Sequence, residues 1–101
     1  MPERDPPIHP GEILRDQYLD PLGISAYKLA KQMHVPVGRI TAICNGSRAI
    51  TADTAIRLGR AFGTTPQFWL NLQARYELDL VEDKREALEA SIEPLDTSRA
   101  A

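Results

Sequence analysis

Residues 25–50 read SAYKLAKQMHVPVGRITAICNGSRAI, and the spacing of small, apolar and capping residues within them decides the fold. Ser25 can accept a hydrogen bond from a backbone N–H two or three residues on, which predicts a helix start there. Ala26, Leu29, Ala30 and Met33 then fall on one inward stripe. His34, Val35 and Pro36 interrupt the pattern, and Pro36 suits the start of a second helix from about Val37 to Asn45. Gly46, tolerant of positive φ, stops it. The stretch therefore reads helix, tight turn, helix.

The same punctuation extends outward. Upstream, Ile13 and Leu14 with Tyr18 predict a helix over about Pro10 to Leu19, ended by Pro21 and Gly23. Downstream, Thr51 caps a helix with Ala55, Ile56, Leu58 and Phe62 as its core stripe, closed by Gly63. Thr65 caps the next, with Pro66 in its first position. No segment alternates apolar and polar residues as a strand would, so the expected class is all-α. A chain of 101 residues holds one such core, and 43% apolar with 26% charged residues suits a folded domain. The expected organisation is a helix-turn-helix domain over residues 8–82, a flexible, proline-rich arm over 1–7, and an acidic, partly disordered tail over 83–101.

Composition also excludes. No apolar run approaches the roughly 20 residues a membrane-spanning helix needs, and the N-terminus lacks an apolar signal stretch, so the expectation is a cytoplasmic protein with no membrane partner. One cysteine, Cys44, makes neither an internal disulfide nor a thiolate zinc site. The net charge of -2 conceals a division along the chain. Residues 1–24 balance to -3, 25–50 to +4, 51–76 to +2 and 77–96 to -6. Residues 25–50 carry Lys28, Lys31, Arg39 and Arg48 and no acid at all.

On a helical wheel starting from Val37, Ile40, Ile43 and Cys44 lie with it inside about 120° of arc. Thr41, Asn45, Gly38, Ala42 and Arg39 sweep the other side, from about 40° to 200°. That face is thin and able to hydrogen-bond. A major groove about 12 Å wide admits a helix whose outward side chains are small or pair with base edges. Arg39 can fork onto guanine, Asn45 onto adenine, and Thr41 or Ala42 can touch a thymine methyl. Lys28, Lys31 and Arg48 flank the face as phosphate contacts, and Ser47 can add a phosphate hydrogen bond. The partner so implied is double-stranded DNA.

Residues 25–50 resemble the helix-turn-helix of the lambda-repressor-like (Xre/Cro) class. The resemblance extends over about residues 8–80, through HPGEIL at 9–14, NGSRAI at 45–50, AIRL at 55–58, TPQFWLNLQ at 65–73 and YEL at 76–78. Those segments together resemble the HigA-type antitoxins of toxin–antitoxin modules. What the resemblance implies is a five-helix DNA-binding domain, usually dimeric, that represses its own operon at an operator in its promoter. It also implies neutralisation of a HigB-like, RelE-type toxin that cleaves mRNA on ribosomes. Gly38, Arg39, Thr41, Ala42 and Asn45 sit where members of the family present base-reading residues. Val37 and Gly38 depart from the commoner polar residues at their places, so the operator sequence does not follow.

The fifth helix has two apolar sides. Leu72, Tyr76 and Leu80 fall within about 60° of Trp69 and are expected to face the core. Leu70, Ala74, Leu78 and Val81 cluster between about 100° and 180° from it, which predicts the interface of a two-fold homodimer. Beyond it, Leu88, Ile92 and Leu95 give the acidic stretch an amphipathic character suited to folding on a basic partner. Catalysis has poor material here. His9 and Glu12 bracket Pro10 and Gly11, which suit a helix start better than a metal site, and no nucleophile motif or phosphate loop occurs. No cofactor, metal or catalytic residue is expected. The serious alternative to an antitoxin is a stand-alone Xre-family repressor using the same reading helix.

Overall fold

The computed structural model describes residues 5–98, and all of its regular elements are helices. Residues 1–4 of the expected arm and 99–101 of the expected tail lie outside the described residues. Helix α1 spans residues 10–22 in three consecutive segments: Pro10–Ile13, a π-helical stretch Leu14–Leu19, and Asp20–Leu22. Then follow α2 (Ala26–Met33), α3 (Val37–Cys44), α4 (Ala52–Phe62), α5 (Pro66–Leu80) and α6 (Glu82–Ala90). Six helices stand where five were expected, because part of the acidic segment is helical. None of them is long and apolar enough to cross a membrane.

Local chemistry sets most of the boundaries. The Ser25 hydroxyl accepts from the Lys28 N–H at 3.0 Å, Thr65 from the Phe68 N–H at 3.1 Å, and Thr51 from the Thr54 N–H at 3.5 Å. Gly23, Gly46 and Gly63 adopt positive φ after α1, α3 and α4. His34 ends α2 with φ 59°, the one non-glycine residue in that conformation among those described. Pro21 departs from expectation. The helix runs through it to Leu22 because the preceding stretch winds more widely, its bonds reaching back five residues as from the Asp20 N–H to the Arg15 carbonyl. That winding moves the carbonyl register away from the place where a proline ring would collide with it.

The core comprises Leu14 and Leu19 of α1, Leu29, Ala30 and Met33 of α2, Ile40 and Ile43 of α3, Ile50, Ala55 and Leu58, and Trp69 of α5. Trp69 is fully buried beside Tyr18, Phe68 and Phe62, with ring centroids 5.1, 5.1 and 6.4 Å away. Its indole N–H donates to the Thr64 hydroxyl at 2.8 Å, so the ring is buried with its one donor satisfied. Two expected core residues face out instead: Ile56 and Val37 are exposed. Each sits at the margin of its helix's stripe, where packing and not angle decides. Leu80 is exposed as well, since the core ends before the last turn of α5.

Among the described residues three polar side chains complete the interior, Thr54 of α4 with Gln73 and His9. Gln73 of α5 is buried, and its carbonyl oxygen accepts from the Ile50 N–H at 2.9 Å. His9 is the N-cap of α1, its Nδ1 accepting from the Gly11 N–H at 2.9 Å. The imidazole lies edge-on to Tyr76, centroids 4.8 Å apart, and is hydrogen-bonded to the Arg48 backbone carbonyl. With one nitrogen accepting, only the neutral ring fits both bonds. Burial lowers the His9 pKa from the usual 6.5, opposed in part by the Arg48 carbonyl and Glu12. A base depressed on folding contributes stability that is complete above its unfolded value and lost as pH falls through its folded one. Melting temperature is therefore expected to hold from pH 8 to about 6.5 and to decline below it; His9→Gln should flatten that decline in melts between pH 7.5 and 5. Asp53, whose pKa is lowered from 3.8, acts only in a more acid window.

Candidate nucleic-acid interface

Helix α3 packs against α2 and α1. Ile40 and Ile43 are fully buried, with Ala42 and Cys44 half-buried beside them. Burial pushes the Cys44 thiol pKa up, more strongly than Arg15 pulls it down, so this cysteine is a packed thiol and no nucleophile. Gly11 of α1 meets the end of α3 so closely that a Cβ built on it would stand 1.8 Å from the Ile43 carbonyl oxygen. From α4, Arg57 donates from Nη1 to the Met33 carbonyl at 2.8 Å, closing the C-terminus of α2 onto α4. The helix pair is thus fixed by backbone contact and by a charge-assisted bond, as well as by its core.

What remains outward is Val37, Gly38 and Thr41 of α3, then Asn45 at its C-cap and Gly46, Ser47, Arg48 and Ala49 after it. Around Gly38 nothing lies within 4 Å of an added Cβ. The Thr41 hydroxyl donates to the Gly38 carbonyl at 3.2 Å, so toward a ligand it offers a methyl group and an acceptor oxygen. Lys28 and Lys31 of α2 are exposed, as is Arg48, and none of the three has an ion-pair partner among the described residues. Residues 25–50 carry no acid, and the one carboxylate that reaches a cation of this stretch among the described residues is Asp53 of α4, on Arg39, which leaves Lys28, Lys31 and Arg48 uncompensated.

Two side chains stand differently from the sequence reading. Asn45 Oδ1 accepts from both the Ser47 N–H at 3.0 Å and the Ser47 hydroxyl at 2.6 Å. That pairing orders the turn after α3 and leaves the Asn45 amide NH2 as its outward donor; fork-like contact with adenine requires the oxygen to be released. Arg39 is not free over the surface. Its Nη1 donates to Asp53 Oδ1 at 3.0 Å, the side chain is only 24% exposed, and its Nε is buried without an acceptor. Asp53, fourteen residues on, could not be paired with it from the sequence. Of the four residues expected along the dimer face, Ala74, Leu78 and Val81 are exposed, while Leu70 is half-buried against the chain's own core.

A helix-turn-helix family model matches residues 16–69. The chain is 51% identical to virulence-associated protein I of Dichelobacter nodosus over 92 residues, covering 91% of this chain and 84% of that one. Among solved structures it is similar to a HigA-family addiction module antidote protein of Coxiella burnetii, at TM-score 0.82 and 47% identity over 90% of this chain and 100% of that one. It is likewise similar to the Pseudomonas aeruginosa antitoxin HigA with the higBA promoter, at TM-score 0.80 and 47% identity over 88% of this chain and 98% of that one. Fold and these similarities agree: the chain belongs to the lambda-repressor-like helix-turn-helix family, in its HigA-type group.

Proposed function

We propose that this chain is a non-enzymatic antitoxin that binds an operator in its own promoter as a homodimer and neutralises a HigB-like, mRNA-cleaving toxin. The observation that carries the DNA half is the outward strip of α3, small and hydrogen-bonding, between lysines of α2 and Arg48 that have no ion-pair partner among the described residues. The P. aeruginosa antitoxin, described with its promoter, supports the same reading. In it Gly38, Thr41, Ala42 and Asn45 approach base edges, Arg39 joins them on release from Asp53, and Lys28, Lys31, Ser47 and Arg48 meet phosphates.

Pairing rests on the far end of α5, where Leu78 is 63% and Val81 44% exposed beside Ala74. Apolar side chains left open together on one helix end suit burial against a second copy, and a two-fold pair would set the reading helices to half-sites about 34 to 36 Å apart. Leu70 adds to it only at the edge.

The test is co-expression with the neighbouring gene product, then purification, sedimentation and promoter binding at graded salt. A dimer, a co-purifying basic partner and salt-dependent operator binding are expected; operator binding with no captured partner would leave a stand-alone repressor. Roles within the site separate by their salt response. Lys28→Ala should weaken binding to all duplexes alike and flatten the slope of log affinity against log salt by about one, whereas Asn45→Ala should lose about 1–3 kcal/mol on the operator alone.

A further inference from the structure

Asp53 Oδ1 receives two guanidinium bonds, from Arg39 Nη1 at 3.0 Å and from Arg57 Nε at 2.8 Å. The two arginines are not held equally. Arg57 has a second anchor at the Met33 carbonyl, while Arg39 has Asp53 alone and a buried Nε with no acceptor. A guanidinium docked with one donor buried and unsatisfied is in an incompletely compensated pose. If Arg39 swings away, Asp53 keeps Arg57 and no carboxylate is stranded. If Arg57 left, both Asp53 and the end of α2 would lose a bond. The contact between Arg39 and Asp53 is therefore the one able to open, and Asp53 is 58% exposed, in the range where ion pairs are weak. Guanine O6 and N7 offer Arg39 the two aligned acceptors that its docked pose lacks.

We propose that Asp53 is a latch on Arg39, holding the guanidinium off the groove in free protein and competing with the DNA base for it. Arg39 is then delivered to DNA where a guanine presents both acceptors, and stays docked elsewhere. The inference rests on the DNA-reading role proposed above for α3 and names the residue that sets when its arginine takes part. Its consequence is an affinity reduced by the fraction of molecules with the latch closed. With Arg39 partly buried and Asp53 open to solvent, the upper part of the range for surface ion pairs applies, about three- to fivefold.

The experiment is a double-mutant cycle of Asp53→Asn and Arg39→Ala in the full chain, read as affinity for the promoter duplex and for a scrambled duplex across a salt series. Loss of a negative charge near DNA should raise affinity for both duplexes. The latch adds an operator-specific increment of about three- to fivefold that is present with Arg39 and absent in the Arg39→Ala background. It should also vanish on promoter duplexes in which 7-deazaguanine replaces the guanine that Arg39 reads, found by replacing guanines one at a time. An equal rise in both backgrounds overturns the proposal. So does weaker operator binding by Asp53→Asn with Arg39 present, which would make Asp53 a support for the base-reading pose. Asp53→Ser serves as the second variant if Asp53→Asn melts early. Wild-type protein that fails to bind its promoter at any salt would take down the DNA reading itself, a result distinct from binding without coupling.

Discussion

Trp69→Ala is expected to lower the unfolding free energy by about 3–5 kcal/mol, the range for emptying a fully buried large aromatic site. The ring is fully buried, and it touches α1 through Tyr18, α4 through Phe62 and its own helix through Phe68. Truncation leaves a cavity where three helices converge and strands the Thr64 hydroxyl that the indole N–H had reached. A domain of this size has roughly 5–15 kcal/mol in all, so the variant should melt at least 12 °C lower or be unfolded at 37 °C. Thermal melts followed by circular dichroism decide it. A shift of a few degrees would mean that the aromatic cluster contributes little and that α5 is seated by other contacts.

Gly11→Ala adds one methyl group and should have an effect nearly as large. Its Cβ would meet the Ile43 carbonyl oxygen at 1.8 Å, the Ile43 carbonyl carbon at 2.6 Å and the Cys44 Cα at 3.0 Å, all backbone atoms with no rotamer to yield. Relief requires α1 and α3 to separate, and we expect a loss of about 3 kcal/mol or more, beyond the usual range for overpacking because the obstacle is main chain. The displaced element is α3, the helix proposed to read DNA, so operator affinity should fall at least tenfold at temperatures where the variant is still folded. Gly38→Ala is the matched control. The same methyl group there enters open space inside a helix and should stabilise by about 0.4–1 kcal/mol. Similar behaviour of the two variants would refute the close approach of α1 to α3.

The contrast shows which information the sequence holds. Ser25, Thr51 and Thr65 were readable as caps because their partners lie three residues away. Gly23, Gly46 and Gly63 were readable because the need for positive φ is written into the residue type. Pro21 misled because the π winding that carries the helix past it has no signature in residue type. Val37 and Ile56 misled because short amphipathic helices fix an angle without fixing how far neighbours reach around it. In the candidate interface, the strip of Gly38, Thr41 and Asn45 follows from helical phase. The engagement of Arg39 by Asp53 does not, since it depends on how α4 crosses α3. Gln73 was missed for the opposite reason, a polar residue being read by default as solvent-facing. His9 was weighed as poor enzyme material, and Pro10–Gly11 after it did mark a helix start; its N-cap bond to the Gly11 N–H and the packing of Tyr76 against it show why a histidine stands there.

The bond from Gln73 to the Ile50 N–H joins the backbone between α3 and α4 to the middle of α5. One turn and a little more along the same helix, Leu78 opens to solvent. A partner seated on that end of α5 would therefore load the same helix whose Gln73 holds the main chain just after α3.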